Sequence, residues 1–254
     1  MITAGQIYAC IDRIAPFATQ EKWDNSGLLV GAPGDAVTGV LVSLDISTAA
    51  VREAARLGCD LIVSHHPVIF SPLHTLDSRS IPYQLARRGI AAVCCHTPLD
   101  MAPGGINDIL AGKLSAVLPV QDTGERETLC GSEGRILTLS AACTVQEIAE
   151  AAKNALGIPH VRYTMDRPVQ RLGLCSGSGA SMLEEVEGAC DCLLTGDIKH
   201  DRWYKAQELG IGLIDCGHYH TEVIAVQYLT RMLREAFPEL PVTAFEEGDP
   251  VAYA

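Results

Sequence analysis

The chain has 254 residues, 48% of them hydrophobic and 20% charged, which excludes a disordered protein and suits one large folded domain or two small ones. A formal net charge of −12 at pH 7 excludes the basic stripe that direct nucleic-acid binding needs, but not a small anionic substrate, since bound dications can reverse a local field. No apolar run reaches the about 18 residues of a membrane span and no leader is visible, so the expected location is the reducing cytoplasm, with the 10 cysteines read as small core thiols.

In chain order, residues 1–14 place their apolar side chains on one face of a helix. Glu21-Lys22-Trp23-Asp24-Asn25-Ser26-Gly27 is a polar loop with turn chemistry. A short strand, Leu28-Leu29-Val30, and a turn at Pro33-Gly34-Asp35 follow. Residues 37–45 read as a strand, 48–57 as a helix closed by Gly58, and 61–64 as a strand. Residues 82–88 are helical up to Gly89, and 90–95 form another strand. Further on, 134–140 is a strand. Thr144 and Glu147 make a capping box for a helix running to Leu156 and ending at Gly157, and 160–165 is a strand. Ser176-Gly177-Ser178-Gly179-Ala180-Ser181 precedes a helical segment, 182–188. Its glycine spacing matches no complete phosphate-binding fingerprint, so a simple glycine-rich turn is favoured.

Alternation of strand and helix argues a layered α/β fold, a sheet with flanking helices. A faint internal duplication runs through it. Leu41–Asp45 aligns with Leu172–Ser176, Cys59–His65 with Cys190–Gly196, and Gly89, Ile90 and Cys95 with Gly210, Ile211 and Cys216. Two similar α/β halves are therefore expected, 1–125 completed by 223–254, and 126–222. A ligand site is expected in the cleft between them.

Three apolar segments end in the same chemistry: Ser64-His65-His66-Pro67, His96-Thr97-Pro98-Leu99-Asp100 and Gly217-His218-Tyr219-His220-Thr221-Glu222. Ligands collect at the carboxyl ends of strands in open α/β sheets, and imidazoles with carboxylates there suit transition metals. His218 and Glu222, four apart, share a face if they lie on one helical turn. The alternative makes Thr221 a helix cap with His218 in the preceding loop. Three imidazoles and two carboxylates exceed the needs of one catalytic zinc and suit two cations about 3.5–4 Å apart, with Asp100 or Glu222 as the bridge. Zinc, iron and manganese all fit such donors. His96 is expected to orient a ligand by a hydrogen bond. His220 faces away if it alternates with His218, and His74 is expected at the surface. Asp197 and His200 are candidate proton-transfer groups, with a helix cap and a surface histidine as the alternative. Trp23 either stacks on a base or covers the core. The chain has no Gly-x-Ser-x-Gly elbow.

The segments Trp23–Gly31, Ser64–Pro67, His96–Asp100 and Gly217–Glu222 resemble the signatures of the NIF-three-like dinuclear-metal proteins, often labelled GTP cyclohydrolase 1 type 2 homologues. The resemblance implies that His65, His66, Asp100, His218 and Glu222 bind two metal ions and that the assembly is a ring-shaped homohexamer. It also implies a metal-dependent hydrolase acting on a nucleotide-like small molecule, by purine ring opening or by phosphoester hydrolysis. A non-catalytic metal-binding adaptor or metallochaperone is the rival. The chain lacks the inserted middle domain of longer members. It carries Thr195-Gly196-Asp197 where Thr-Gly-Glu is expected, a carboxylate of shorter reach.

Overall fold

The computed structural model describes residues 1–122, 124 and 127–252. The boundary expected at residues 125 and 126 lies outside them. The chain divides into two compact units, one made of Met1–Pro103 with Ala225–Pro250, the other built from Gly104–Ile224.

The first unit is organised on a five-stranded sheet in the order Val242–Phe245, Val40–Ser43, Leu61–Ser64, Ala91–Cys94, Gly27–Val30. The first four strands run parallel and the last is antiparallel. Every residue of the three middle strands is buried. That is why they read as unbroken apolar runs rather than as alternation: helices cover a parallel sheet on its faces. The crossovers are Thr48–Leu57, whose Ser47 cap accepts from Ala49 and Ala50 N–H, and Ile81–Arg88, with Ser80 as cap. Both helices end where Gly58 (φ 70°) and Gly89 (φ 67°) enter the left-handed region that favours glycine. The strand expected over 37–45 is cut at Thr38-Gly39. Ala36–Val37 pairs with Ile2–Thr3 instead. The Asp60 carboxylate accepts from both Thr38 N–H (2.7 Å) and its hydroxyl (2.6 Å), which fixes the break.

In the second unit six strands lie in the order Glu127–Leu129, Gly134–Thr144, Pro168–Leu174, Cys192–Thr195, Gly212–Asp215, Arg162–Thr164. The three strands from 168 to 215 are parallel, as are the three that align with them in the first unit. Cys192, Leu194 and Ile214 enter one core and Leu193 and Leu213 the other, so both faces are covered. The helix Ile106–Ser115 belongs to this unit and adds Leu110 and Leu114 to its core. The Thr144 capping box forms, and its helix runs Val145–Leu156 to Gly157. The helix expected over 182–188 does not form beyond the 3-10 turn Gly179–Met182. Only six residues precede Gly188, few to repay helix nucleation.

Candidate metal centre

Register decides what meets at the end of the first sheet. Ser64 pairs with Ser43 on one side and Cys94 on the other, so the residues just beyond them emerge side by side. The ladder continues for a step, with His65 N–H donating to Ser43 O (3.3 Å), His66 N–H to Leu44 O (3.0 Å) and Cys95 N–H to Ser64 O (2.9 Å). His65 is buried, while His66 and His96 are half-buried. Their ring centroids lie 5.0, 5.2 and 5.6 Å apart in pairs. One donor atom from each falls within 4.8 Å of the others, a set able to hold a metal ion. Asp100 sits on the short helix Thr97–Met101, with Oδ1 3.7 Å from His65 Nε2.

The outer nitrogen of each imidazole is engaged. Nδ1 of His65 donates to the Cys95 carbonyl (2.9 Å), Nδ1 of His66 to Asp45 (2.9 Å) and Nδ1 of His96 to Asp24 (2.8 Å). A carbonyl can only accept, so at His65 the proton sits on Nδ1 and the lone pair on Nε2. That tautomer leaves Nε2 able to bind a metal, and at His66 and His96 a carboxylate behind the ring raises its basicity. The expectation for His96 is an orienting role. Its own ring is held by Asp24.

Asp24 went unread as a site residue. Its side chain is buried and accepts from His96, the Thr97 hydroxyl (2.6 Å) and the Ser26 hydroxyl (2.9 Å). Burial alone would push its carboxyl up; the hydrogen bonds and the charge of His96 outweigh it and hold the group well below the usual carboxylate range.

The second unit presents a smaller set. His218 and Glu222 do lie on one helical turn, His218–Glu222, and His218 Nε2 is 2.8 Å from Glu222 Oε2. Thr221 is not its cap: its hydroxyl accepts from Gly177 N–H (2.9 Å) and lies within hydrogen-bond distance of the Gly217 (3.1 Å) and His218 (2.9 Å) carbonyls. The glycine-rich segment thus serves as a close-packed turn against the carboxylate. A Cβ on Gly177 would come 2.1 Å from Glu222 Oε1. Gly196 is as tightly enclosed, with His218 N 2.5 Å from its virtual Cβ. Asp197 is exposed, takes a left-handed φ of 51°, and accepts from His218 Nδ1 at 2.7 Å. His200 opens the helix His200–Leu209, exposed, with its ring edge-on to Tyr204. His220 packs edge-on to Tyr219, and His74 is exposed.

Eight of the cysteines are buried and two half-buried, and none of the ten is in a disulfide. Burial pushes the thiols of Cys94 and Cys190 up to about 11 and those of Cys95 and Cys192 well above the ordinary value. Such thiols are neutral and inert as nucleophiles.

Residues 2–250 match the family described as Duf34/NIF3 (NGG1p interacting factor 3). The chain belongs to this family. Among its Duf34/NIF3 relatives is a Clostridium acetobutylicum protein named GTP cyclohydrolase 1 type 2 homolog, 28% identical over 91% of this chain and 90% of the relative. The NGG1-interacting factor 3 of Saccharomyces cerevisiae is 28% identical over 100% and 99%. Among solved structures, the Staphylococcus aureus protein SA1388 superposes with a TM-score of 0.84 at 26% identity, covering 100% of this chain and 99% of the other. A Bacillus cereus protein related to NIF3 reaches 0.87 at 20% identity over 100% and 99%, which speaks to the fold alone.

Proposed function

We propose that His65, His66, Asp100, His218 and Glu222 together hold two divalent cations, zinc, iron or manganese, and that the protein is a metal-dependent hydrolase of a nucleotide-like small molecule. The observation that carries this reading is the hydrogen bonding of the rings. Each of His65, His66 and His218 has its Nδ1 engaged by a carbonyl or carboxylate, which supports Nε2 as the nitrogen turned to the cations. Three imidazoles with two carboxylates then supply enough donors for two ions and leave positions open for water and substrate.

The cations would supply Lewis acidity and a water acidic enough to attack at neutral pH. The chain's own residues do the rest. Asp45 and Asp197 hold the rings of His66 and His218 in one orientation, as the Cys95 carbonyl does for His65. Asp197, exposed and in contact with His218, is the first candidate to pass protons, and His200, three residues on, the second. Relatives named for GTP cyclohydrolase favour ring opening of a purine over phosphoester hydrolysis. The yeast relative is named for a protein interaction, and this favours the rival reading, a non-catalytic adaptor or metallochaperone.

Elemental analysis of freshly purified protein, with His66→Ala and Glu222→Gln beside it, tests the ligand set. About two ions per chain in the wild type, and loss in both variants, is the expected result; retention in both defeats the assignment. Incubation of zinc-, iron- and manganese-loaded protein with GTP and with a phosphodiester separates the readings, since no turnover with any metal selects the adaptor. A homohexamer in a reducing compartment completes the proposal, the second part supported by ten cysteines, none of them in a disulfide. Among the described residues no helix is long and apolar enough to cross a membrane.

A further inference from the structure

Trp23 and Phe70 are 57% and 52% exposed, yet the chain around both is tied down. Trp23 precedes Asp24, whose buried carboxylate binds His96, Thr97 and Ser26. Phe70 follows Ile69, whose carbonyl accepts from the Asn25 side chain at 2.5 Å. Two residues earlier, Val68 N–H reaches Cys94 Sγ at 3.4 Å. The backbone at both aromatic residues is therefore anchored to the strand ends that carry His66 and His96. Their rings lie 5.9 Å apart at 37° to each other. Each meets His96 edge-on, Trp23 at 5.7 Å and 78°, Phe70 at 6.3 Å and 73°.

Two large rings left in water while their backbone is immobilised are a binding arrangement rather than a packing one. The ordering cost is met before any ligand arrives, and the exposed apolar area has no role in the core. Their position separates them from a general apolar surface, because they stand at the rim of an imidazole-lined polar centre. The other tryptophan is employed differently: Trp203 packs against the second unit's core under the Arg162 guanidinium.

We propose that Trp23 and Phe70 form an aromatic platform that holds a planar heteroaromatic ring against His96, beside the His65 and His66 donors. The inference rests on the reading of that cluster as a metal centre and adds the side chains that recognise the ring of the nucleotide-like substrate. Stacking on such rings tolerates many heterocycles, since each has a π-face. The pair therefore selects for a planar ring rather than for one base.

Equilibrium dialysis of metal-loaded protein against GTP and against inorganic triphosphate reads the contribution of the ring. The wild type is expected to bind GTP roughly tenfold or more tightly than triphosphate. That preference should vanish in Trp23→Ala and in Phe70→Ala and survive in Trp23→Phe, with metal content at the wild-type level in all three. The chain has 2 tryptophans, so a Trp203→Phe background leaves Trp23 as the sole indole. There guanosine, and not ribose, should quench its fluorescence even in metal-free protein. This arm stands if the metal assignment fails. Equal affinity for GTP and triphosphate, or guanosine binding undiminished in both alanine variants, overturns the platform.

Discussion

Gly177 offers the sharpest test of how the Glu222 carboxylate is held. Its φ is +65°, and a methyl group there would stand 2.1 Å from Glu222 Oε1, 3.0 Å from Cδ and 3.3 Å from His218 Nε2. Ordinary contact begins at 3.4 Å, so the carboxylate must retreat by about 1.3 Å, whereas metal–ligand distances tolerate only about 0.2 Å. Gly177→Ala should therefore lower cation affinity by about 10–100-fold. It also carries about 1–2 kcal/mol for an alanine in the left-handed region. Gly188 supplies the control, because its φ is +76° and no atom lies within 4 Å of a Cβ there. Gly188→Ala has the backbone strain without the clash. Dialysis of each variant against buffered metal, followed by elemental analysis, measures the ions retained. Thermal unfolding of the metal-free proteins measures the strain, about 2–4 °C in Tm for each kcal/mol. Both variants should melt earlier than the wild type, and only Gly177→Ala should lose metal. Wild-type metal binding by Gly177→Ala would refute the claim that this turn fixes the ligand.

Asp45→Asn should weaken metal binding about tenfold with little change in Tm, because Asp45 is exposed and its contact is to His66 Nδ1; unchanged affinity in a chelator competition would remove its orienting role. Asp24→Ala should cost a few kcal/mol, about 1–3 for each buried donor among His96, Thr97 and Ser26 left without its acceptor, read by urea unfolding. The folded-state carboxyl of Asp24 lies below its unfolded value of about 3.9. Its stabilisation is thus fully present above about pH 4 and lost as pH falls below that. The acid limb of the wild-type stability curve should accordingly be steeper than that of Asp24→Asn. Iodoacetamide at pH 8 should leave Cys94, Cys95, Cys192 and Cys216 unlabelled in the native protein and react first at the half-buried Cys143; early labelling of Cys95 by mass spectrometry would contradict its burial.

Much of the scaffold is legible in the chain because its signals are local. The runs at 61–64, 91–94 and 212–215 are mostly apolar and buried throughout, and left-handed glycines at 58, 89, 157 and 210 mark the ends of the preceding helices. The four-residue spacing of His218 and Glu222 encodes a shared helical face, and the structure bears it out. The interruption at Thr38-Gly39 escaped because its cause, the Asp60 carboxylate, lies 22 residues away. The aborted helix after Met182 escaped because composition reports propensity and not length.

The carboxylates behind the imidazoles form the larger gap. Asp45 and Asp24 meet their histidines across 21 and 72 residues, and no periodicity records such a pairing. The amino-acid order alone determined the central strands of the first unit, the helices between them and the donor chemistry at each strand end, since these follow from burial patterns and torsional preferences within a few residues. Strand register and the packing of loops against the sheet's end decided which nitrogen of each ring is engaged, why Gly177 must lack a side chain, and that Trp23 stands in water beside His96. Those outcomes depend on distances between segments remote in the chain, which exist only once the backbone hydrogen bonds have aligned the sheet.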